Sequence, residues 1–182
     1  MRVLAISGSL RRDSYNTALL RAARELAPAG VSVELYDGLA GLPAFSEDLE
    51  ADPPAAVADL NGRIAAADAV LIATPEYNGS APGALKNALD WASRPQGMAA
   101  LVGKPVAVIG ASTGSFGAKW AQEQIRRALK LSGAMVVDAE LAAPKCGAGV
   151  ENGELSLDEI RTNLIEVLGL LLAVPAEAAL AA

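Results

Sequence analysis

The segment Gly8-Ser9-Leu10-Arg11-Arg12-Asp13-Ser14-Tyr15-Asn16-Thr17 concentrates donors that suit a phosphate. The hydroxyls of Ser9, Ser14 and Thr17, the Asn16 amide and the Arg11 and Arg12 guanidinium groups can all donate to anionic oxygens. An apolar run, Val3-Leu4-Ala5-Ile6, precedes the segment, and helical spacing at Leu19, Leu20, Ala23 and Leu26 follows it. That order of strand, polar loop and helix places an anion against unpaired N–H groups and the positive end of a helix dipole. Neither GxGxxG nor GxxxxGK[ST] occurs here. The loop therefore suits a terminal phosphomonoester better than a dinucleotide pyrophosphate or a nucleoside triphosphate. The plainer reading is an ordinary strand-to-helix turn capped by a serine or by Asp13.

Two further loops follow apolar runs. The first is Thr74-Pro75-Glu76-Tyr77-Asn78-Gly79-Ser80-Ala81-Pro82-Gly83. Its two prolines and two glycines restrict the backbone, so that N–H and C=O groups face a planar ligand at low entropic cost, with Pro82 expected in the first helical turn. The second is Gly110-Ala111-Ser112-Thr113-Gly114-Ser115-Phe116-Gly117, whose small residues let a flat ring lie close to the backbone. In an open parallel sheet, ligands bind beyond the carboxyl ends of the strands, near the topological switch point. All three loops are candidates for one such site.

The elements that must hold these loops follow from the hydrophobic pattern. Strands are predicted over 2–6, 31–36, 69–74, 105–110 and 134–138, and helices over 15–27, 54–67, 82–92, 117–131 and 156–172. Ala69-Val70-Leu71-Ile72-Ala73 and Val106-Ala107-Val108-Ile109 are apolar without alternation, as in strands covered on both faces. Five strands alternating with five helices give a three-layer α/β sandwich. Residues 1–173 are expected to form one domain, followed by an Ala-rich tail at 174–182 that frays or prolongs the last helix. The segments 37–54 and 144–154 read as surface loops, the latter with a turn at Asn152-Gly153 before a helix capped by Ser156.

Composition removes several classes of function. The chain of 182 residues contains no histidine, which excludes Ser-His-Asp and Cys-His triads and the His-bearing zinc signatures. A cofactor is then expected to carry any difficult chemistry. The net charge is −6 and no basic block exceeds two residues, which argues against nucleic acid as a partner. The apolar stretch Val167 to Pro175 is too short to cross a membrane, and Val3 to Ile6 is too short for the core of a secretion signal. A single cysteine, Cys146, is expected to be an unreactive thiol and fits a cytoplasmic location.

Pro75-Glu76-Tyr77-Asn78-Gly79-Ser80, followed by Pro82-Gly83, Leu85-Lys86-Asn87 and Asp90-Trp91, resembles the signature of the NADPH-dependent FMN reductases. These are flavodoxin-like quinone, azo-dye and chromate reductases. Gly8-Ser9-Leu10-Arg11 with Ser14 and Asn16 is similar to their flavin-phosphate motif, and Ser112-Thr113-Gly114 to their third flavin loop. The resemblance runs from residue 1 to about residue 172. It implies a flavodoxin-like three-layer sandwich on a five-stranded parallel sheet of order 2-1-3-4-5.

Carried over position by position, it assigns Ser9, Arg11, Ser14 and Asn16 to the FMN phosphate, with Tyr15 also assigned to cofactor binding. Pro75, Glu76, Tyr77 and Asn78 are assigned to the isoalloxazine and ribityl chain, and Ser112, Thr113 and Gly114 to the far edge of the ring. The family often has paired glycines in the third loop. Here Ser115-Phe116 precede Gly117, which makes Phe116 a candidate wall of a substrate pocket.

The implied activity is hydride transfer from NADPH or NADH through FMN to a quinone, with azo compounds or metal oxyanions as other acceptors. One open site used in turn predicts ping-pong kinetics, and the family implies a homodimer or homotetramer. The alternative on the same fold is a flavodoxin-like electron carrier. Carriers cover both flavin faces with aromatics, whereas only Tyr77 and Phe116 of the seven aromatics here lie in the ring-binding loops. A nucleotide- or phosphosugar-binding domain without flavin is a third possibility. Trp91 and Trp120 are assigned to core or subunit contacts, Arg12 to solvent, and Asp68 and Asp138 to turns. Lys86 is either solvated or paired with a carboxylate such as Glu76.

Overall fold

A computed structural model describes residues 1–148, 150–151, 154–155 and 158–174. The apolar runs form parallel strands β1 (Arg2–Ser7), β2 (Ser32–Tyr36), β3 (Ala69–Thr74) and β4 (Pro105–Ala111). A short β5 (Met135–Val136) extends the sheet in the expected order β2-β1-β3-β4-β5. Every residue of β3 and β4 is buried, which is why these strands carry no polar alternation.

Period-two alternation sorts their side chains onto two faces. Val3, Ala5, Leu71 and Ile109 face helices α1 (Tyr15–Leu26) and α5 (Asp158–Leu172), meeting Leu19, Ala23, Leu164 and Leu168. Leu4, Ile6, Val70 and Val108 face α2 (Ala55–Ala66), α3 (Gly83–Ala92) and α4 (Lys119–Leu131), meeting Leu60, Leu85 and Ile125. Among the described residues, two helices cover one face and three the other.

The predicted fifth strand over 134–138 is shorter than expected, and its place along β4 is shared. Only Met135 and Val136 pair with β4, and a second strand, β6 (Ala142–Ala143), pairs with the far end of β4 through Gly110 and Ala111. Between them the chain leaves the sheet and the Arg126 guanidinium takes its place. Arg126 Nη2 donates to Val108 O at 2.7 Å and to Ala139 O at 2.6 Å. A carbonyl deprived of its ladder partner is thus satisfied by a side chain. Burial pushes the Arg126 guanidinium down from its usual range, and the neighbouring Glu140 partly offsets this.

The predicted loop at 144–154 contains an antiparallel ladder, β7 (Val150–Glu151) with β8 (Glu154–Leu155). The turn Asn152-Gly153, the Ser156 cap and tail residues 175–182 lie outside the described residues. The long segment 37–54 holds two short 3₁₀ turns, at Gly38–Gly41 and Glu47–Leu49. It is pinned at Pro43, whose carbonyl accepts from Asn87 Nδ2 and Trp91 Nε1, both at 2.9 Å. Trp91 is accordingly a core residue, 1% exposed.

Candidate functional site

Three central strands, β1, β3 and β4, deliver their following loops to one edge of the sheet. The first loop is tied to its neighbour where Gly8 N donates to Ala73 O at 2.8 Å. Ser14, not Asp13, caps α1: its backbone is extended and its side chain accepts from Thr17 N at 3.3 Å. Ser9 Oγ accepts from Arg11 N, and Thr17 Oγ1 shares a 2.8 Å hydrogen bond with Ser7 Oγ. Arg11 leans over the Tyr15 ring, 5.0 Å from its centroid. Asn16 is 2% exposed, and its amide clasps the backbone of Ala111, donating to the carbonyl at 3.0 Å and accepting from the N–H at 2.9 Å. It joins the start of α1 to the end of β4.

The second loop closes on itself at Tyr77 and Ser80, which exchange backbone hydrogen bonds of 3.0 and 3.1 Å. The central residues Asn78 and Gly79 both have positive φ, 54° and 72°, as a type I′ turn requires. That turn accounts for the residue type at Asn78. Two contacts bind the loop to α4. Glu76 Oε2 accepts from Ala121 N at 3.1 Å, while Gln124 Oε1 accepts from Ser80 Oγ and Ala81 N, each at 2.7 Å. Lys86 pairs with Asp90, one turn along α3, and not with Glu76.

The third loop is braced from the edge of the sheet. Ser112 N donates to Ala143 O, Cys146 N to Ser112 O and Lys145 N to Gly114 O, all within 3.1 Å. Ser112 Oγ accepts from Gly114 N. The loop enters α4 through Gly117 and Ala118, with φ of 57° and 62°. A Cβ on Gly117 would stand 2.5 Å from the Ala142 carbonyl carbon, so both conformation and space require glycine there. Gln122, buried in α4, donates to Gly117 O and Leu141 O at 3.0 and 3.2 Å. Cys146 is buried, and burial pushes its thiol up from the usual range.

The loops enclose a cleft of about 250 Å³. Ser9, Arg11, Ser14, Tyr15, Asn16, Pro75, Glu76, Tyr77, Ser112 and Thr113 line it, joined by Ala111. Asn78, at its turn apex, and Gly114 stand outside this lining, as does Arg12. Phe116 and Trp120 are largely exposed and pack on each other with ring centroids 4.9 Å apart.

A larger recess of about 530 Å³ lies at the opposite edge of the sheet, near the ends of α3 and α4. Its serines are already committed, Ser93 Oγ to Asp90 O and Ser132 Oγ to Ala128 O. Among the described residues there is no cluster of three or more metal-binding side chains, and no helix is long and apolar enough to cross a membrane.

Residue spacing alone does not single out Gln122, Gln124 or Arg126. One signal is present for the first of them: Ala118, Ala121, Ile125 and Leu129 form an apolar stripe at helical spacing, and Gln122 interrupts it.

Comparison with known proteins supplies a family. The pattern of the NADPH-dependent FMN reductases matches residues 1–148. A 2-hydroxy-1,4-benzoquinone reductase of Burkholderia sp is 48% identical over 126 residues, 69% of this chain and 68% of the relative. An NAD(P)H-dependent FMN reductase of Pseudomonas aeruginosa is 52% identical over 130 residues, 71% of this chain and 69% of the relative. Among solved structures, the flavoenzyme NAD(P)H:(acceptor) oxidoreductase FerB from Paracoccus denitrificans superposes with a TM-score of 0.82 at 35% identity, covering 93% of this chain and 96% of that one.

Proposed function

This chain belongs to the NADPH-dependent FMN reductase family, and from that premise we propose that its cleft holds FMN and reduces quinones with NAD(P)H. The observation that carries the reading is the convergence of the three loops on one cleft, with Arg11 and hydroxyls from the loop after β1 and with Pro75, Glu76, Tyr77, Ser112 and Thr113 from the loops after β3 and β4. The donor set fits the group. Arg11, the hydroxyls of Ser9 and Ser14 and the start of α1 suit a phosphomonoester, and the walls around Pro75, Tyr77, Ser112 and Thr113 suit a planar ring.

When bound, FMN supplies the redox chemistry, accepting a hydride from NAD(P)H and passing electrons to the acceptor. The chain's residues bind and orient. Arg11 neutralises phosphate charge, Asn16 fixes the distance between the phosphate end and the end of β4, and Glu76 and Gln124 fix the Tyr77 loop against α4. Tyr77, 52% exposed, leaves the mouth open, which suits a cleft visited in turn by donor and acceptor. The exposed Phe116–Trp120 pair fits a contact between copies of the chain in a homodimer or homotetramer.

Initial rates of NADPH oxidation by the FMN-loaded protein, at several fixed concentrations of a benzoquinone, test this reading. Parallel double-reciprocal lines are expected. Intersecting lines would contradict alternate use of one cleft, and absence of NADPH oxidation would contradict the activity.

A further inference from the structure

Glu76 follows the carboxyl end of β3, lines the cleft and reaches to α4, where its carboxylate accepts a hydrogen bond from Ala121 N at 3.1 Å. Ala121 is the third residue of α4, and the residue at the N-cap position, Ala118, has no side chain that can cap. The carboxylate therefore caps the helix from a different loop, where an orphan N–H and the positive helix end favour it.

Joining loop to helix does not require a charge. Gln124 ties the same loop to the same helix through a neutral amide that accepts from Ser80 Oγ and Ala81 N. Gln122 likewise holds Gly117 and Leu141 with a neutral amide. Among the described residues lining the cleft, Glu76 is the one acid, and it comes from the loop after β3 whereas Arg11 comes from the loop after β1.

We propose that the Glu76 carboxylate lowers the reduction potential of the bound flavin, so that Glu76 acts as an electrostatic positioning residue as well as a cap. The inference rests on the reading that the cleft holds FMN. Reduction adds negative charge to a flavin ring, and a fixed anionic group on the ring-side wall opposes that charge by Coulomb repulsion. Its bond to Ala121 N holds the charge in one place, so the repulsion is not relaxed by side-chain rotation. A lowered potential makes the reduced protein a stronger donor to its acceptor.

The test is the two-electron midpoint potential of the FMN-loaded wild type, Glu76→Gln and Gln124→Ala, measured by spectroelectrochemistry with a reference dye. Glu76→Gln keeps an oxygen for Ala121 N but removes the charge. It is expected to favour reduced over oxidised FMN by about tenfold relative to wild type, a rise of about 30 mV for a two-electron couple. Gln124→Ala loosens the same loop without removing a charge and is expected to move the potential far less than Glu76→Gln does. An unmoved potential in Glu76→Gln, an equal rise in Gln124→Ala, or loss of FMN uptake by Glu76→Gln would each overturn the proposal. Failure of the wild type to take up FMN would overturn the cofactor reading itself, a result distinct from these.

Discussion

At the α1 end of the cleft, Ser7, Ser9, Ser14 and Thr17 engage one another and nearby backbone within residues 7–17. The end between Tyr77 and Thr113 closes locally only at the Tyr77–Ser80 turn and at Ser112–Gly114; its loops are otherwise held by side chains of α4 and by the segment from Leu141 to Cys146. One end is a short piece of continuous chain organised by a helix start. The other is a junction of distant segments tied by Gln122 and Gln124, with Arg126 bonding to Gln122 and to the β4 carbonyl of Val108 behind them. The difference teaches that a cluster of anion-suited donors can be built locally, from a cap and a few hydroxyls, whereas a wall assembled from distant loops needs tertiary struts. Asn16 links the two ends by clasping Ala111.

The contrast predicts where substitutions act. The largest effect is expected for Arg126→Ala, which strips the charged donor from Val108 O and Ala139 O at a side chain only 15% exposed. The loss should be about 3 kcal/mol of stability, a fall in Tm of roughly 6–12 °C for a chain of this size, accompanied by weaker FMN binding. An unchanged Tm would break the claim that the ring end hangs on α4.

Arg11→Ala should do the opposite, leaving Tm in place while weakening FMN by roughly 1.5–3 kcal/mol, because a charge-assisted hydrogen bond to the phosphate is removed. Isothermal titration separates these outcomes, and unaltered FMN affinity would remove Arg11 from the site. A smaller effect, about 1 kcal/mol of stability, is expected for Ser14→Ala, which deletes the α1 cap. Thermal melts with and without FMN should show both a lower Tm and a smaller shift on adding cofactor. A variant with normal Tm would mean that the start of α1 is held by other contacts.

The same contrast explains what could be read from the sequence. The sheet was readable because β3 and β4 are buried on both faces and so carry apolar runs without alternation. The donor cluster over 8–17 is readable because its residues lie within one stretch of chain, and Ser9, Arg11, Ser14 and Asn16 do line the cleft. Four features were not readable. The shared last place in the sheet depends on Arg126 replacing a strand, a substitution that no local pattern announces. Asn78 carries a signature residue type for the sake of turn geometry, so its identity reports backbone conformation. The pairing of Glu76 with Ala121 spans distant residues and two loops, beyond any helical or strand period. Asn87 and Trp91 likewise match a signature, yet both hold Pro43 of a distant loop.

The central claim is that the cleft binds FMN with its phosphate at the start of α1. Fluorescence titration of the apoprotein with FMN and, in parallel, with riboflavin tests it most directly, because the two ligands differ only in the phosphate. Riboflavin has no phosphate to accept charge-assisted hydrogen bonds. If two such bonds hold the FMN phosphate, riboflavin should bind roughly a hundredfold or more weakly than FMN. Equal affinities for the two, or no uptake of FMN, would contradict the account.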